Sequence, residues 1–297
     1  MAAGGSARAS SNLARRFVGF WGEYTRSRIG VFGLVIMLSF IAVSAPAPYL
    51  TTYSIKASEG NIYEVLKPPS SKHLLGTDEL GRDMLTLVVY GGRISLLVGF
   101  LATIIAGVLG TLVGSVSGYF GGWVDDLLMR INDVFLVIPG LPLMIVLSAL
   151  IGRGIWNIIF VIGILSWSGT CRVIRSQVMS TKEKSFIESA RAAGAGDVWI
   201  LTRHILPNVL PLIVAQMVVQ VGGAILSESA LSFLGLGDPT HISWGMILHY
   251  AFSCGALSSG YWWYLLPPGI CVALVVLAFS FMGYSLDRIV NPRIRAR

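Results

Sequence analysis

The sequence carries little charge for its length. Only 12% of its 297 residues are Asp, Glu, Lys or Arg, whereas 54% are hydrophobic, and the mean hydropathy is +0.73. A soluble globular domain contains roughly twice that share of charged residues. The composition therefore excludes an ordinary soluble protein and favours a chain whose apolar surface lies in a lipid bilayer.

Cysteine is also scarce, and the three thiols, Cys171, Cys254 and Cys271, lie far apart in the sequence. They form no Cys-x-x-Cys pair and no cluster with histidine, so the sequence predicts neither a disulfide framework nor a metal site. The four histidines form no His-Glu-x-x-His motif, and no nucleophile motif accompanies the serines. We therefore expect no catalytic residues and no cofactor bound by this chain.

Two further absences concern the supply of energy. The chain has no G-x-x-x-x-G-K-[ST] phosphate loop, so any ATP hydrolysis would have to come from another polypeptide. Only Asp133 and Glu228 place an acidic group within the apolar stretches. A proton relay needs such groups along the whole path through the bilayer. An ion-coupled secondary carrier is therefore the less favoured alternative.

Long apolar runs are what the sequence does contain. A helix needs roughly 20 apolar residues to cross a hydrocarbon core of about 30 Å. Six stretches meet or approach that length, and they predict an all-α, polytopic membrane protein with about six transmembrane helices. The predicted spans are residues 29–49, 93–118, 131–151, 155–175, 208–234 and 265–285.

The basic residues between the spans predict the orientation. With six spans both termini share one side, and that side would hold all but six of the 22 Lys and Arg residues. Because cytoplasmic loops keep the Lys and Arg excess, we expect a multi-pass plasma-membrane protein with both termini in the cytoplasm. The net charge of +7 then reflects topology and anionic lipid headgroups, and it requires no nucleic acid. The six on the outer side are Lys56, Lys67, Lys72, Arg82, Arg93 and Arg153.

This topology divides the chain into a cytoplasmic segment 1–28, a first span 29–49, an extracytoplasmic loop 50–92, a core of five helices 93–285 and a cytoplasmic tail 286–297. An alternative is that the first span is a cleavable export signal, since basic residues precede it and Ala45-Pro46-Ala47 follows it. The apolar run is long for a signal, so we expect the first span to be retained.

Two patterns inside the predicted spans concern packing. Pro139 and Pro142 flank Gly140 in the third span, where the missing amide hydrogens should kink or loosen the helix, either as a hinge or as a fixed bend. In the second span small residues recur at every fourth position. Such a face allows another helix to approach closely, or alternatively lines a pore. The small residues are Ala102, Ala106, Gly110, Gly114 and Gly118.

A polar segment, residues 188–208, lies between the fourth and fifth predicted spans on the cytoplasmic side. Its pattern predicts a short helix, a reversal at Gly194 and Gly196, and a second helix. Asp197 is the expected N-cap of the second helix, and Pro207 is expected to mark the change to the fifth span. A segment of this length is more than a simple connection needs, so we expect it to meet a partner.

The same segment resembles the EAA loop that defines the permease subunits of ABC importers. Glu188-Ser189-Ala190 is followed after three residues by Gly194 and, nine residues later, by His204-Ile205-Leu206-Pro207. The general pattern is E-A-A-x₃-G-x₉-I-x-L-P. Ser189 replaces the central Ala, and His204 replaces the first Ile. The second departure is usual in the dipeptide, oligopeptide and nickel branch of the family.

Two more stretches resemble that branch, and together the three motifs cover the chain from about residue 74 onward. "LLGTDELGRDMLTLVVYGGRISL" is similar to its L-G-T-D-x-x-G-R-D segment with Y-G-x-R-x-S-L, and "LSFLGLGDPTHISWGMIL" is similar to its S-F-L-G-L-G segment. The resemblance implies a type I ABC importer permease fold and a C-type dipeptide permease. It also implies a homologous B-type permease as partner in a heterodimer.

The resemblance further implies how the importer works. The cytoplasmic loop, about residues 176–207, would dock into ABC ATPase subunits that use ATP and Mg, and an extracytoplasmic substrate-binding protein would deliver the cargo. Membrane lipids surround the permease. The residues expected to couple to the ATPase are Glu188, Ser189, Ala190, Ala193, Gly194, Ala195, Gly196, His204, Leu206 and Pro207.

The cargo and its path are less closely defined by these motifs. Glu228 is a candidate for the translocation path, although a role in helix packing is the alternative. Asp78, Arg82 and Asp83 are candidates for binding peptide termini at an outer gate, and a local salt-bridged turn is the alternative. Dipeptides or short peptides are the expected cargo, with nickel or another small solute as the alternative within the branch. A membrane scaffold without cargo flux is a further hypothesis.

Overall fold

The structure is a computed structural model, and it describes residues 21–51, 53, 55–56 and 60–290. Most of the predicted N-terminal segment and the tail from residue 291 lie outside the described residues. Within the described part the chain is helical, and extended pairing is limited to an isolated bridge between Thr77 and Asp83. The all-α prediction is confirmed.

The first apolar helix, α1, spans Arg28–Ser44 and is shorter than the predicted span 29–49. Ser27 caps it by accepting a hydrogen bond from the backbone N–H of Gly30, and Pro46 follows its end, where the chain makes a separate turn, Ala47–Leu50. The Ser27 hydroxyl lies 2.7 Å from that of Ser285 in the last helix. This contact holds α1 against the C-terminal part of the chain.

The second helix, α2, spans Met84–Phe120 and is the longest α-helix of the described chain, at 37 residues. It begins at Met84 rather than at residue 93, because Asp83 caps its first turn by accepting from the Thr86 N–H at 2.8 Å. A Cβ added at Gly110 or at Gly118 would lie 2.7 Å from a carbonyl oxygen of the neighbouring helix. The prediction that the small-residue stripe serves close helix packing is therefore confirmed.

The third predicted span is a bent pair of helices. Helix α3 spans Gly122–Val137, α4 spans Gly140–Ile151, and their axes meet at 88°. Ile138 between them is extended, and Pro139 precedes the first residue of α4. Pro139 offers no amide hydrogen and disfavours the helical conformation of the residue before it, so the helix stops there. The predicted disruption at Pro139 is confirmed, and the helical part begins earlier, at Gly122 rather than at residue 131.

The fourth span is also interrupted. Helix α5 spans Ile155–Leu165 and α6 spans Trp167–Lys182, and Ser166 between them has φ −100° and ψ 5°. The two helices together form one candidate membrane span, Ile155–Lys182. The predicted span of 155–175 therefore begins correctly but ends too early.

The remaining helices run from the polar segment after α6 to the end of the described chain. Helix α7 spans Ser185–Ala192, α8 spans Asp197–Ile200, α9 spans Leu206–Leu231, α10 spans Trp244–Ser253 and α11 spans Trp262–Val290. Two π-helical segments, Leu201–Ile205 and Ser232–Leu236, lie directly before and after α9. Among the described residues four helical stretches are long and apolar enough to cross a membrane, and the bent pair and α1 occupy the other two predicted positions.

The main core joins α2, α9, α10 and α11. The indole N–H of Trp244 at the start of α10 donates to the carbonyl oxygen of Val88 in α2 at 2.8 Å, and Phe279 of α11 packs with Val221 and Ile225 of α9. A second apolar cluster attaches α5 to α2, and a third joins the C-terminal parts of α2 and α6 to the first turns of α9. The third cluster positions the segment that contains α7 and α8.

Candidate functional site

The candidate coupling site is the helix–turn–helix formed by α7, the residues 193–196 and α8. Both helices are short, and each buries one isoleucine, Ile187 in α7 and Ile200 in α8. Helices of four and eight residues do not persist alone in water, so their stability must come from packing. The sequence prediction of helix, reversal and helix is confirmed by these elements.

The reversal between the helices depends on Gly194. Its φ is +85°, a left-handed conformation that costs an L-residue roughly 1–2 kcal/mol. The Gly194 N–H donates to the carbonyl of Arg191, and the Ala195 N–H donates to that of Ala190. These two bonds form a Schellman motif, which satisfies the last carbonyl groups of α7. Gly196, in contrast, has φ −71° and ψ 156°, which any residue can adopt.

Two predictions about the second half of the segment are wrong. Gly196 occupies the N-cap position of α8, and Asp197 is the first helical residue, with its carboxylate directed to another helix. Pro207 does not separate α8 from the fifth span, because α8, the π-helical turn and α9 form one continuous stretch, Asp197–Leu236. Pro207 lies in the first turn of α9, where its missing N–H is compatible with the helix.

Three isoleucines fasten this segment to the membrane-spanning helices. Ile187, Ile200 and Ile205 are fully buried, and they pack in one cluster with Ile174 and Val178 of α6. Burial of such a side chain contributes on the order of 1.5–3 kcal/mol. The cluster therefore connects α7 and α8 directly to the C-terminal part of α6.

A polar contact reinforces the same junction. The phenol of Tyr119, the penultimate residue of α2, donates to the carboxylate of Asp197 with an oxygen–oxygen distance of 2.6 Å. The ammonium group of Lys182 lies over the Tyr119 ring, 5.7 Å from its centroid. The sequence does not reveal this link, because Tyr119 and Asp197 are 78 positions apart.

The expected ATPase contacts divide into an exposed set and a partly covered set. Exposed side chains or backbone are found at Glu188, Ser189, Ala193, Gly194, Gly196 and Pro207, while Ala190, Ala195, His204 and Leu206 are half-buried. Large apolar groups stand beside the small ones, since Val198 is 71% exposed and Trp199 50% exposed. The segment thus exposes both small residues and large apolar side chains.

His204 lies between the two helices of the segment. Its ring centroid is 4.8 Å from the Trp199 ring of α8 and 6.2 Å from the Phe186 ring of α7. His204 therefore holds the two helices together from inside, and it is only partly available to a partner.

The outer candidates Asp78 and Arg82 form a closed turn. The Asp78 carboxylate is fully buried, accepts from the backbone N–H groups of Leu80 and Arg82, and pairs with the Arg82 guanidinium at 2.6 Å. Arg82 also donates to the carbonyl oxygen of Ile55. Both charges are used within the chain, as expected for the local salt-bridged turn.

Asp83 is occupied in the same way. One carboxylate oxygen caps α2 through Thr86, and the other lies 2.9 Å from Nδ1 of His73. Neighbouring Glu79 accepts a hydrogen bond from the Tyr264 hydroxyl of α11, and burial followed by the charge of Asp78 raises the pKa of Glu79. The loop before α2 is thereby fixed to the starts of α2 and α11.

Glu228 lies inside the protein rather than on an open surface. It is 1% exposed, and its carboxylate accepts hydrogen bonds from Ser95 of α2 at 3.0 Å and from Ser232 at 2.7 Å. The Ser95 hydroxyl in turn accepts from the backbone N–H of Trp244. Glu228 therefore joins α2, α9 and α10, as expected for the packing alternative.

Another outer carboxylate, Asp238, fixes the loop after α9. It accepts from the backbone N–H of Ile155 at the start of α5, from Thr240 and from His241. Burial alone would raise the pKa of Asp238, but these hydrogen bonds together lower it to about 2. The sequence analysis missed this residue.

The sequence is similar to those of known membrane transport proteins. Residues 110–296 match the model of the family described as "Binding-protein-dependent transport system inner membrane component". The chain is 35% identical over 276 residues to the dipeptide transport system permease protein DppC of Bacillus subtilis, covering 93% of this chain and 85% of the relative. It is 38% identical over 275 residues to DppC of Alkalihalophilus pseudofirmus, covering 92% and 89%.

A permease that is named for a different cargo is also similar to this chain. The glutathione transport system permease protein GsiD of Pectobacterium atrosepticum is 35% identical over 279 residues, covering 93% of this chain and 91% of the relative. Among solved structures, a chain of the inward-facing MetNI methionine ABC transporter matches with a TM-score of 0.52 at 20% identity, covering 72% of this chain and 98% of that chain. That likeness confirms the expected permease fold. On the family model and these relatives, the chain belongs to the family of binding-protein-dependent transport system inner membrane components.

Proposed function

We propose that this chain is the C-type permease subunit of an ATP-driven importer for dipeptides or short peptides. It would form half of the translocation path, together with a homologous B-type permease. ATP and Mg would be bound by separate ABC ATPase subunits, and an extracytoplasmic binding protein would deliver the peptide. The peptide assignment rests on the names of the relatives, which are dipeptide and glutathione permeases.

The observation that carries the coupling proposal is the exposed α7–α8 segment on a buried isoleucine base. A segment that transmits force needs a surface for the partner and a stiff connection to the spans. The exposed Val198 and Trp199 supply apolar contact area, and the small residues around Gly194 let a partner approach the backbone closely. The buried Ile187, Ile200 and Ile205 supply the stiff connection.

The orientation follows from the same proposal. The α7–α8 segment meets the ATPase only if it faces the cytoplasm, which places both termini on that side, in agreement with the Lys and Arg distribution. The loop with Asp78 and the loop with Asp238 would then face the binding protein. Each loop is held by hydrogen bonds of a carboxylate, the buried Asp78 and the half-buried Asp238, so they offer that protein a preformed surface.

Transport by the complete complex tests the proposal. The two permeases, the ATPase subunits and the binding protein are reconstituted into proteoliposomes, and uptake of radiolabelled dialanine, glutathione and pentaalanine is measured. We expect uptake of at least one peptide that requires ATP, Mg and the binding protein. Uptake driven by an ion gradient without the ATPase would instead identify a secondary carrier, and partner binding without any flux would identify a scaffold.

A further inference from the structure

A cleft whose walls combine apolar residues such as Val219 and Ala224 with uncharged polar side chains, called the polar cleft below, lies between the fourth and fifth spans. Its volume is about 370 Å³, and its walls come from the junction of α5 with α6 and from the middle of α9. Ser166 and Thr170 line one side, and Gln216, Gln220, Gly223 and Ser227 line the other. These residues are uncharged, and they carry amide and hydroxyl groups that both donate and accept hydrogen bonds.

The cleft lies at the depth of the bilayer interior. Gln216 to Ser227 fall within the central part of the long stretch Asp197–Leu236, and Ser166 interrupts the span Ile155–Lys182. Polar groups at this depth are costly when they face lipid, and irregular backbone there is tolerated where it is buried in protein or lines a cavity. Two independent irregularities, the polar row on α9 and the break at Ser166, therefore meet at one place.

Gln220 connects the two walls of the cleft. Its amide nitrogen donates to the carbonyl oxygen of Ser166 at 2.7 Å, and its amide oxygen accepts from the Thr170 hydroxyl at 2.9 Å. The break in the span leaves the Ser166 carbonyl available, and Gln220 satisfies it. Gln220 is thus a fixed part of the wall, whereas its neighbours remain available.

The available groups are Gln216 and Ser227. Within the part of the chain that the structure describes, neither side chain has a hydrogen-bond partner. Gly169 and Gly223 are exposed beside them, and an added Cβ at either glycine would meet no atom within 4 Å. The cleft therefore offers unpaired neutral donors and acceptors around open space.

We propose that this cleft binds the backbone amide groups of the cargo peptide during its passage, an inference that rests on the proposed function. A glutamine side chain carries the same donor and acceptor pair as a peptide bond, so it can bind a peptide without regard to its side chains. Neutral groups bind modestly, which allows the cargo to leave again. Transition-metal cations prefer imidazole, thiolate or carboxylate ligands, so the cleft suits a peptide better than nickel.

The acidic residues that the sequence suggested for cargo binding are not available to bind a peptide. Glu228, Asp78 and Asp83 are buried and hydrogen-bonded within the chain. On α9 the cleft extends to Ser227, the residue before Glu228, whereas the Glu228 carboxylate is hydrogen-bonded to Ser95 of α2 and to Ser232. The positions that contact peptide are therefore the neutral ones on the adjacent face of the helix.

Accessibility to an aqueous thiol reagent tests the inference. Cys171, Cys254 and Cys271 are replaced by alanine, Gln216→Cys is introduced, and a charged methanethiosulfonate is applied to the reconstituted complex. The control is Val214→Cys, an exposed position on nearly the opposite face of α9. Because the reagent reacts with the hydrated thiolate, we expect residue 216 to react at least about tenfold faster than residue 214. Transported peptide should slow labelling at residue 216.

Two results would overturn the inference. Equal protection from labelling at residues 214 and 216 would mean that the cleft is closed by the partner permease or by lipid. Rapid labelling at residue 216 that dialanine, glutathione and pentaalanine leave unchanged would mean that the cleft holds water and no cargo. Failure of the proposed function looks different, because the complex without substitutions would then take up none of these peptides.

A second experiment uses peptide uptake to test whether the cargo passes through the cleft. Gly223→Leu places an isobutyl side chain in the cleft, and an added Cβ at this position meets no atom within 4 Å; Gly269→Leu is a matched control on α11, where an added Cβ also meets nothing within 4 Å. We expect peptide uptake to fall several-fold in Gly223→Leu and to persist in the control. Equal uptake by both variants, with normal amounts of complex in the membrane, would contradict a cargo path through the cleft.

Discussion

The Tyr119 hydroxyl donates a hydrogen bond of 2.6 Å to the carboxylate of Asp197. This bond joins the last turn of α2 to the first turn of α8, so the longest described α-helix is tied to the segment that we assign to the ATPase. The neighbouring isoleucine cluster makes the apolar part of the same joint. A partner that moves α8 therefore acts on α2 and on α6 together.

Removing the phenol oxygen should loosen this joint. In Tyr119→Phe the Asp197 carboxylate loses a charge-assisted bond, which contributes about 1–2 kcal/mol at a partly exposed site. We expect faster hydrogen exchange at the amides of residues 185–200, by roughly five- to thirtyfold, with the helices of the main core unchanged. The control is Tyr284→Phe, which alters a half-exposed phenol on α11. Unchanged exchange in Tyr119→Phe would show that the isoleucines alone hold the segment.

The two glycines of the reversal should respond differently to the same substitution. Gly194→Ala forces a left-handed conformation on an L-residue and should destabilise the segment by about 1–2 kcal/mol. Gly196→Ala adds the same methyl group at φ −71°, with no atom within 4 Å. We expect the affinity for the ATPase subunits, measured by titration in detergent, to fall in the first variant only. Equal affinities would contradict a role for the Gly194 backbone geometry.

Glu228 should behave as a packing residue. Glu228→Gln keeps an acceptor oxygen for the hydroxyl of Ser95 or Ser232. Glu228→Leu leaves both buried hydroxyls without an acceptor, including the Ser95 hydroxyl that accepts from the Trp244 N–H. Each unsatisfied buried polar group costs about 1–3 kcal/mol. We therefore expect the thermal midpoint of the purified complex to fall clearly in the leucine variant and little in the glutamine variant. A glutamine variant as unstable as the leucine variant would point to a required negative charge.

The contact of Asp238 with α5 should persist in acid. The folded-state pKa of about 2 lies below the ordinary value of 3.8, so the ionised carboxylate stabilises the loop above pH 4, and this contribution is lost as the pH falls toward 2. The shift corresponds to about 2 kcal/mol. We expect protection of the Ile155 amide to be constant from pH 7 to pH 4 and to decline below it. Asp238→Asn should abolish that decline, and an unchanged decline would assign it to another group.

The architecture could be predicted from the sequence largely because lipid and helix geometry impose simple requirements. Long apolar runs predicted the four helical stretches that are long enough to cross a membrane and the position of the bent pair, and the spacing of small residues predicted the packing face of α2. The ends were harder to predict. Helix α2 starts at a cap, Asp83, that precedes the apolar run, and Pro139 predicted a disruption of the third span but not its angle of 88°.

The coupling segment could be predicted in outline for a different reason. Gly194 marks a left-handed turn that local sequence determines, whereas Asp197 was assigned as a cap although its carboxylate is taken by Tyr119, 78 positions away. The polar cleft was missed because attention to charge favours Glu228 and Asp78, which the fold uses for its own packing. Glutamines spaced along an apolar helix were the available signal.

The central claim, that the α7–α8 segment transmits ATP hydrolysis to peptide import, is tested most directly by the peptide taken up per ATP hydrolysed. The reconstituted importer with Gly194→Val is compared with Gly260→Val, an exposed glycine at φ +75° in the outer loop that likewise has open space around it. The proposal predicts that Gly194→Val is present in the membrane but imports much less peptide per ATP, while Gly260→Val retains the wild-type ratio. A wild-type ratio in Gly194→Val would contradict it.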